Sequence, residues 1–93
     1  MEKLKQSEIQ QRLTEVKGWK LDGNAIKKEW QFRDFDEAMQ FINRVADLAR
    51  EQDHHPELFN VYNKVSLRFS THDAGGLTNR DFKMATAVDK ITK

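Results

Sequence analysis

Apolar residues recur along this chain with two different periods. Ile9, Leu13 and Val16 fall at i, i+4 and i+7, a stripe down one side of a helix. Ser7 with Gln10 fits an S-x-x-Q capping box at its start, and Gly18 predicts its stop. The period then drops to two. Trp19, Lys20 and Leu21 alternate as a short strand, and Asp22-Gly23-Asn24 reads as a turn. In AIKKEWQF, Ile26, Trp30 and Phe32 share a face opposite Lys27, Glu29 and Gln31, with Lys28 interrupting the apolar side. That pattern predicts a half-buried antiparallel strand.

The helical period returns after Asp34, which with Glu37 offers a cap, while Asp36 and Glu37 suit the positive helix start. The predicted buried stripe is Phe35, Ala38, Phe41 or Ile42, Val45, and Leu48 or Ala49. This second helix is expected to run to about Glu51, and Pro56 forbids its continuation. LFNVY (58–62) and VSLRFST (65–71) read as two strands joined by a tight Asn63-Lys64 turn, with Val65, Leu67 and Phe69 on one face. That register puts Leu58 near Phe69 and His55 near His72. HDAGGL (72–77) is a loop, and Thr78 with Asp81 opens a last helix whose buried candidates are Phe82, Ala85, Val88 and Ile91. The order α-β-β-α-β-β-α predicts an α+β fold, one four-stranded antiparallel sheet with three helices packed on one face. Residues 1–93 leave room for a single domain.

Composition narrows the function classes. The formal net charge is +1, so no basic excess points to nucleic acid or an anionic membrane. There is no cysteine, which excludes a disulfide frame, a thiolate nucleophile and a Cys-zinc site. MEKLKQSEIQ lacks the apolar stretch of a secretory signal, and no apolar run approaches the ~20 residues a membrane helix requires. A cytoplasmic location is expected. So small and polar a domain is also expected to bury further surface by self-association, as a dimer or tetramer.

All three histidines fall near one end of the predicted sheet: His54 and His55 in DHHP before the third strand, His72 just past the fourth. A His-His pair before proline also suits an ordinary helix C-terminus. Adjacent side chains diverge, and no H-x-H or H-x-x-x-H pair is present, so metal ligation is disfavoured. Ser70 and Thr71 lack a nucleophile elbow. Acid–base chemistry remains, since imidazole exchanges protons near neutrality, with Asp53, Asp73 and Asp81 available as orienting carboxylates. Such a group suits elimination of water.

DHHPELFNVYNKVSLRFSTHDAGGLTNRD, residues 53–81, resembles the pterin-4a-carbinolamine dehydratases, and the likeness extends loosely over nearly the whole chain. The resemblance implies an α+β sandwich and dehydration of 4a-hydroxytetrahydropterins to quinonoid dihydropterin, in the recycling of the tetrahydropterin cofactor. No metal or organic cofactor of the enzyme's own is implied. His54, His55 and His72 would be the catalytic histidines: His54 the principal acid–base group, His72 its counterpart, His55 binding and orienting. Substrate contacts would fall on Asp53, His54, His55, Ser70, Thr71, His72 and Asp73, with backbone groups of 70–72 meeting the pterin edge. Asp81 would support a histidine or merely cap the last helix. Arg50 stands where the family often has an acidic residue, and Leu58 where an aromatic is common. Some relatives double as dimerisation cofactors of transcription factors, which would use the outer face of helix 34–51, including Met39.

Overall fold

The computed structural model describes residues 2–92. Helix α1 (Gln6–Leu13) leads into strands β1 (Lys20–Asp22) and β2 (Ala25–Gln31). Helix α2 (Phe35–Gln52), strands β3 (Glu57–Val61) and β4 (Lys64–Phe69), and helix α3 (Asn79–Ile91) follow. The strands form one antiparallel sheet in the order β1-β2-β4-β3, as the α+β expectation requires. The long central strand of each hairpin carries the core face. Ile26 lies opposite Phe69, and Trp30 opposite Val65. Against them pack Ala38, Phe41, Val45 and Ala49 of α2 and Phe82, Met84, Ala85 and Val88 of α3. Trp19 sits edge-on to Trp30 with ring centroids 5.7 Å apart, and Phe41 continues the aromatic row.

Lys28, the break in the apolar face, is accommodated rather than expelled. Its ammonium donates to the Lys17 carbonyl at 2.7 Å and to Asp89 at 3.0 Å, and Trp19 Nε1 donates to the same carboxylate oxygen. Gly18 (φ +81°) makes room for it, because a Cβ there would meet Lys28 Cε at 3.0 Å. Gly18 therefore serves this turn and not the end of α1. That helix ends at Leu13, with Thr14 as its C-cap.

Three further local expectations are corrected. Helix α1 starts at Gln6, one residue before Ser7, and Glu8 accepts from the Lys5 N–H at 2.9 Å. The incoming chain is already tied down there by Leu4 N–H donating to Leu77 O at 2.7 Å, so a tertiary bond sets the helix start. Phe35 is 45% exposed, being the first residue of α2 and beyond the sheet's cover. The β3–β4 turn is Tyr62-Asn63, because Asn63 is held to β2: Phe32 N–H donates to Asn63 O, and Asn63 Nδ2 donates to Phe32 O. Leu58 consequently faces Leu67 rather than Phe69. Every partner moves by two residues, so each side chain keeps its face.

The start of α2 carries a pH-dependent contribution. Asp34 caps it by accepting the Glu37 N–H at 2.9 Å, and that bond holds the Asp34 carboxyl below its ordinary range. A depressed folded-state value gives stability that is present above the unfolded value and lost as pH falls through the folded one. Thermal melts should therefore show Asp34→Ala less stable than the parent at neutral pH. The gap should narrow as the pH falls through the lowered folded-state value of Asp34. A gap independent of pH would show that the charge of the cap is irrelevant.

Candidate active site

The end of α2 delivers the first two histidines. Asp53 follows the helix in the left-handed region (φ +50°), His54 N–H donates to Ala49 O, and Asp53 N–H to Arg50 O. These bonds form a Schellman closure with aspartate where glycine is usual. It turns the chain so that His54 goes inward and His55 outward. His54 is 8% exposed, while His55 is exposed to solvent. The His54 ring stacks on Phe69, centroids 6.0 Å apart and planes at 19°.

The beginning of α3 holds the other side of His54. His54 Nε2 lies 2.6 Å from Asp81 Oδ1, and Asp81 is fully buried. Asp81 Oδ2 accepts from the Thr71 hydroxyl at 2.9 Å and from the Thr78 N–H at 2.9 Å. The Thr78 hydroxyl lies 2.8 Å from that of Thr71 and accepts the Arg80 N–H. One proton assignment satisfies the whole set. Thr78 O–H donates to Thr71, Thr71 O–H donates to Asp81, and His54 Nε2–H donates to Asp81, which as a carboxylate only accepts. His54 then retains Nδ1 as its available nitrogen. Asp81 thus performs both roles open to it: it closes the capping box with Thr78 and it supports a histidine.

A cleft of about 370 Å³ opens beside this network, lined by Asp53, His54, His55, Ser70, Thr71, His72, Asp73 and Arg80. The structure therefore brings every expected catalytic and contact residue to one cavity, with Asp81 directly behind it. The shifted hairpin register does not undo this, because His72 begins a short 3-10 turn (His72–Ala74) that stays at the same sheet end. Two details differ from expectation. Thr71 aims its hydroxyl at Asp81, and its backbone N–H and C=O pair with Gly76, so that part of 70–72 is engaged within the chain. Arg80, missed from sequence, lines the cleft and donates to the Asp53 carbonyl. Its position next to Asp81 at the helix start was the available signal. Arg50 pairs with Asp47 on the surface of α2 at 3.0 Å and is absent from the cleft lining.

Comparison with known proteins agrees with this fold. Residues 2–91 match the family described as pterin 4 alpha carbinolamine dehydratase. A provisionally named pterin-4-alpha-carbinolamine dehydratase of Sulfurisphaera tokodaii is 44% identical over 98% of both chains. One of the same description from Rhizobium johnstonii is 46% identical over 97% of this chain and 91% of its own. A solved structure from Brucella melitensis, a transcriptional coactivator/pterin dehydratase, superposes with a TM-score of 0.93 at 39% identity, covering 98% of this chain and 99% of that one.

Proposed function

The chain belongs to the pterin 4 alpha carbinolamine dehydratase family, and we propose that it eliminates water from a 4a-hydroxytetrahydropterin by histidine acid–base catalysis. The observation that carries this reading is the meeting of all three histidines in one cleft, with His54 locked by Asp81 at 2.6 Å. In the elimination the C4a–O bond breaks, the hydroxyl leaves as water with a proton from a general acid, and N5 loses its proton as the C4a=N5 bond forms. His54, with Nε2–H held by Asp81, takes the N5 proton at Nδ1. His72, exposed across the cleft, protonates the departing hydroxyl, and His55 binds and orients the ring. The product is the quinonoid dihydropterin, so the reaction serves recycling of a tetrahydropterin cofactor, in the cytoplasm. No cofactor enters this scheme.

The test is loss of freshly generated 4a-hydroxytetrahydropterin, followed by ultraviolet absorbance, with a His54→Ala/His72→Ala variant alongside. Acceleration by the parent alone supports both the activity and its site. Equal acceleration by both proteins keeps the enzyme and removes the histidine assignment.

Association with other chains has two supporting surfaces. Strand β3 lies at the sheet edge, with Phe59 61% and Val61 54% exposed, a row that invites a second copy. On α2, exposed Phe35 and half-buried Met39 stand one turn apart, which favours a protein partner or a further self-contact there. The parent should sediment as a dimer or tetramer, and Phe59→Lys should shift it toward the monomer. A monomeric parent at micromolar concentration would contradict this.

A further inference from the structure

A second groove, about 550 Å³, runs along α3 beside the cleft, and Arg80 lines both. Its floor includes Phe82, and its rim carries Arg12, Arg80, Lys83 and Lys90 with no carboxylate among the lining residues. Four cations on one groove stand out in a chain whose net charge is only +1. Two of them are held in place. Arg12 lies 5.1 Å over the Phe82 ring and bonds Asn79, and Arg80 is anchored to the Asp53 carbonyl. Glu15, 3.6 Å from Arg12, offsets part of one charge and stands outside the lining. The cleft sets the exposed Asp53 and Asp73 carboxylates against the single guanidinium of Arg80, so it attracts an anion less than the groove does. A ligand with a neutral ring and an anionic tail therefore has one favourable orientation, ring among the histidines and tail past Arg80. Lys83 follows Arg80 by three residues, about 4.5 Å along the helix, within reach of a short side chain.

We propose that this groove receives a phosphate ester on the side chain of the pterin bound in the cleft, making Lys83 and Arg12 determinants of substrate choice. The inference rests on the pterin reading above. Its test compares two stable 7,8-dihydropterins whose side chains differ only by a phosphate ester, titrated by calorimetry into the full chain and into Lys83→Gln and Lys83→Glu. Lys83 is exposed, so neither variant disturbs the core. In about 50 mM salt the phosphate ester should bind the parent on the order of 10-fold more tightly, an advantage that shrinks in concentrated salt. The advantage should fall in Lys83→Gln and fall further in Lys83→Glu, while the neutral compound binds all three alike. Equal affinity of the parent for both compounds overturns this inference alone, as does a preference that survives Lys83→Glu. Binding of neither compound overturns the pterin reading together with it.

Discussion

Replacing His54 with alanine should lower kcat by about 10²–10⁴-fold, the usual worth of a positioned proton-transfer group. The ring is the only imidazole of the three that is buried, stacked and hydrogen-bonded at one nitrogen, so its other nitrogen is held in place. His55 and His72 are exposed and are not positioned to take over from inside. His72→Ala should therefore fall at the lower end of that range, and His55→Ala should show more in KM than in kcat. Alanine also removes the partner of a buried carboxylate, which costs roughly 1–3 kcal/mol of stability. His54→Gln separates the two effects, since its amide can still donate toward Asp81 but cannot transfer a proton. Both variants should lose kcat, and only alanine should melt appreciably earlier. Turnover within about threefold of the parent in both would remove His54 from the proton path.

The elements of the fold were legible because local patterns and tertiary packing agree in them. The apolar stripes of α2 and α3, Phe35 apart, and the alternation of β2 and β4 face the core as expected. The errors lie where a distant contact overrides a local signal. Asn63 reads as the first residue of a turn, yet its two bonds to Phe32 make it the last rung of the β2–β4 ladder and push Tyr62 to φ +50°. Ser7 is a better cap than Lys5 in isolation, but Leu4 is fixed to Leu77 before either is reached. Gly18 signals a helix stop by composition, whereas its missing Cβ is needed for the passage of Lys28.

The site shows the same division. The three histidines were visible as a group because only three exist and all sit at chain positions flanking one hairpin. The network behind them was not. That Thr71 gives its hydroxyl to Asp81 instead of the cleft depends on α3 entering at one particular angle, which no spacing encodes. The dual use of Asp81 follows from the same approach. A capping aspartate bonds its own helix start with one oxygen, and the second oxygen is free to serve whatever packs against that turn, here His54.

Asp81→Asn should separate geometry from proton placement. Every hydrogen bond that Asp81 accepts comes from a donor: His54 Nε2–H and Thr78 N–H, with Thr71 O–H completing the set. An amide must present Nδ2–H₂ to one side. The Thr78 backbone N–H cannot reverse, so the carbonyl oxygen stays there and Nδ2 turns to His54. His54 can accept that bond only by moving its own proton to Nδ1, which removes the base from the nitrogen left for substrate. The fold should survive with a modest loss of stability, while kcat falls as far as in His54→Ala, about 10²–10⁴-fold. Nitrogen-15 NMR of the imidazole should show the proton moved from Nε2 to Nδ1. Asp81→Ala should behave differently. It strands the Thr78 N–H, the Thr71 hydroxyl and the His54 ring in a buried space, each at roughly 1–3 kcal/mol, so unfolding should shift by several kcal/mol before activity is considered. If Asp81→Asn changes the tautomer and leaves kcat intact, Asp81 serves only the folding of α3 onto α2. The proton must then leave N5 by another route.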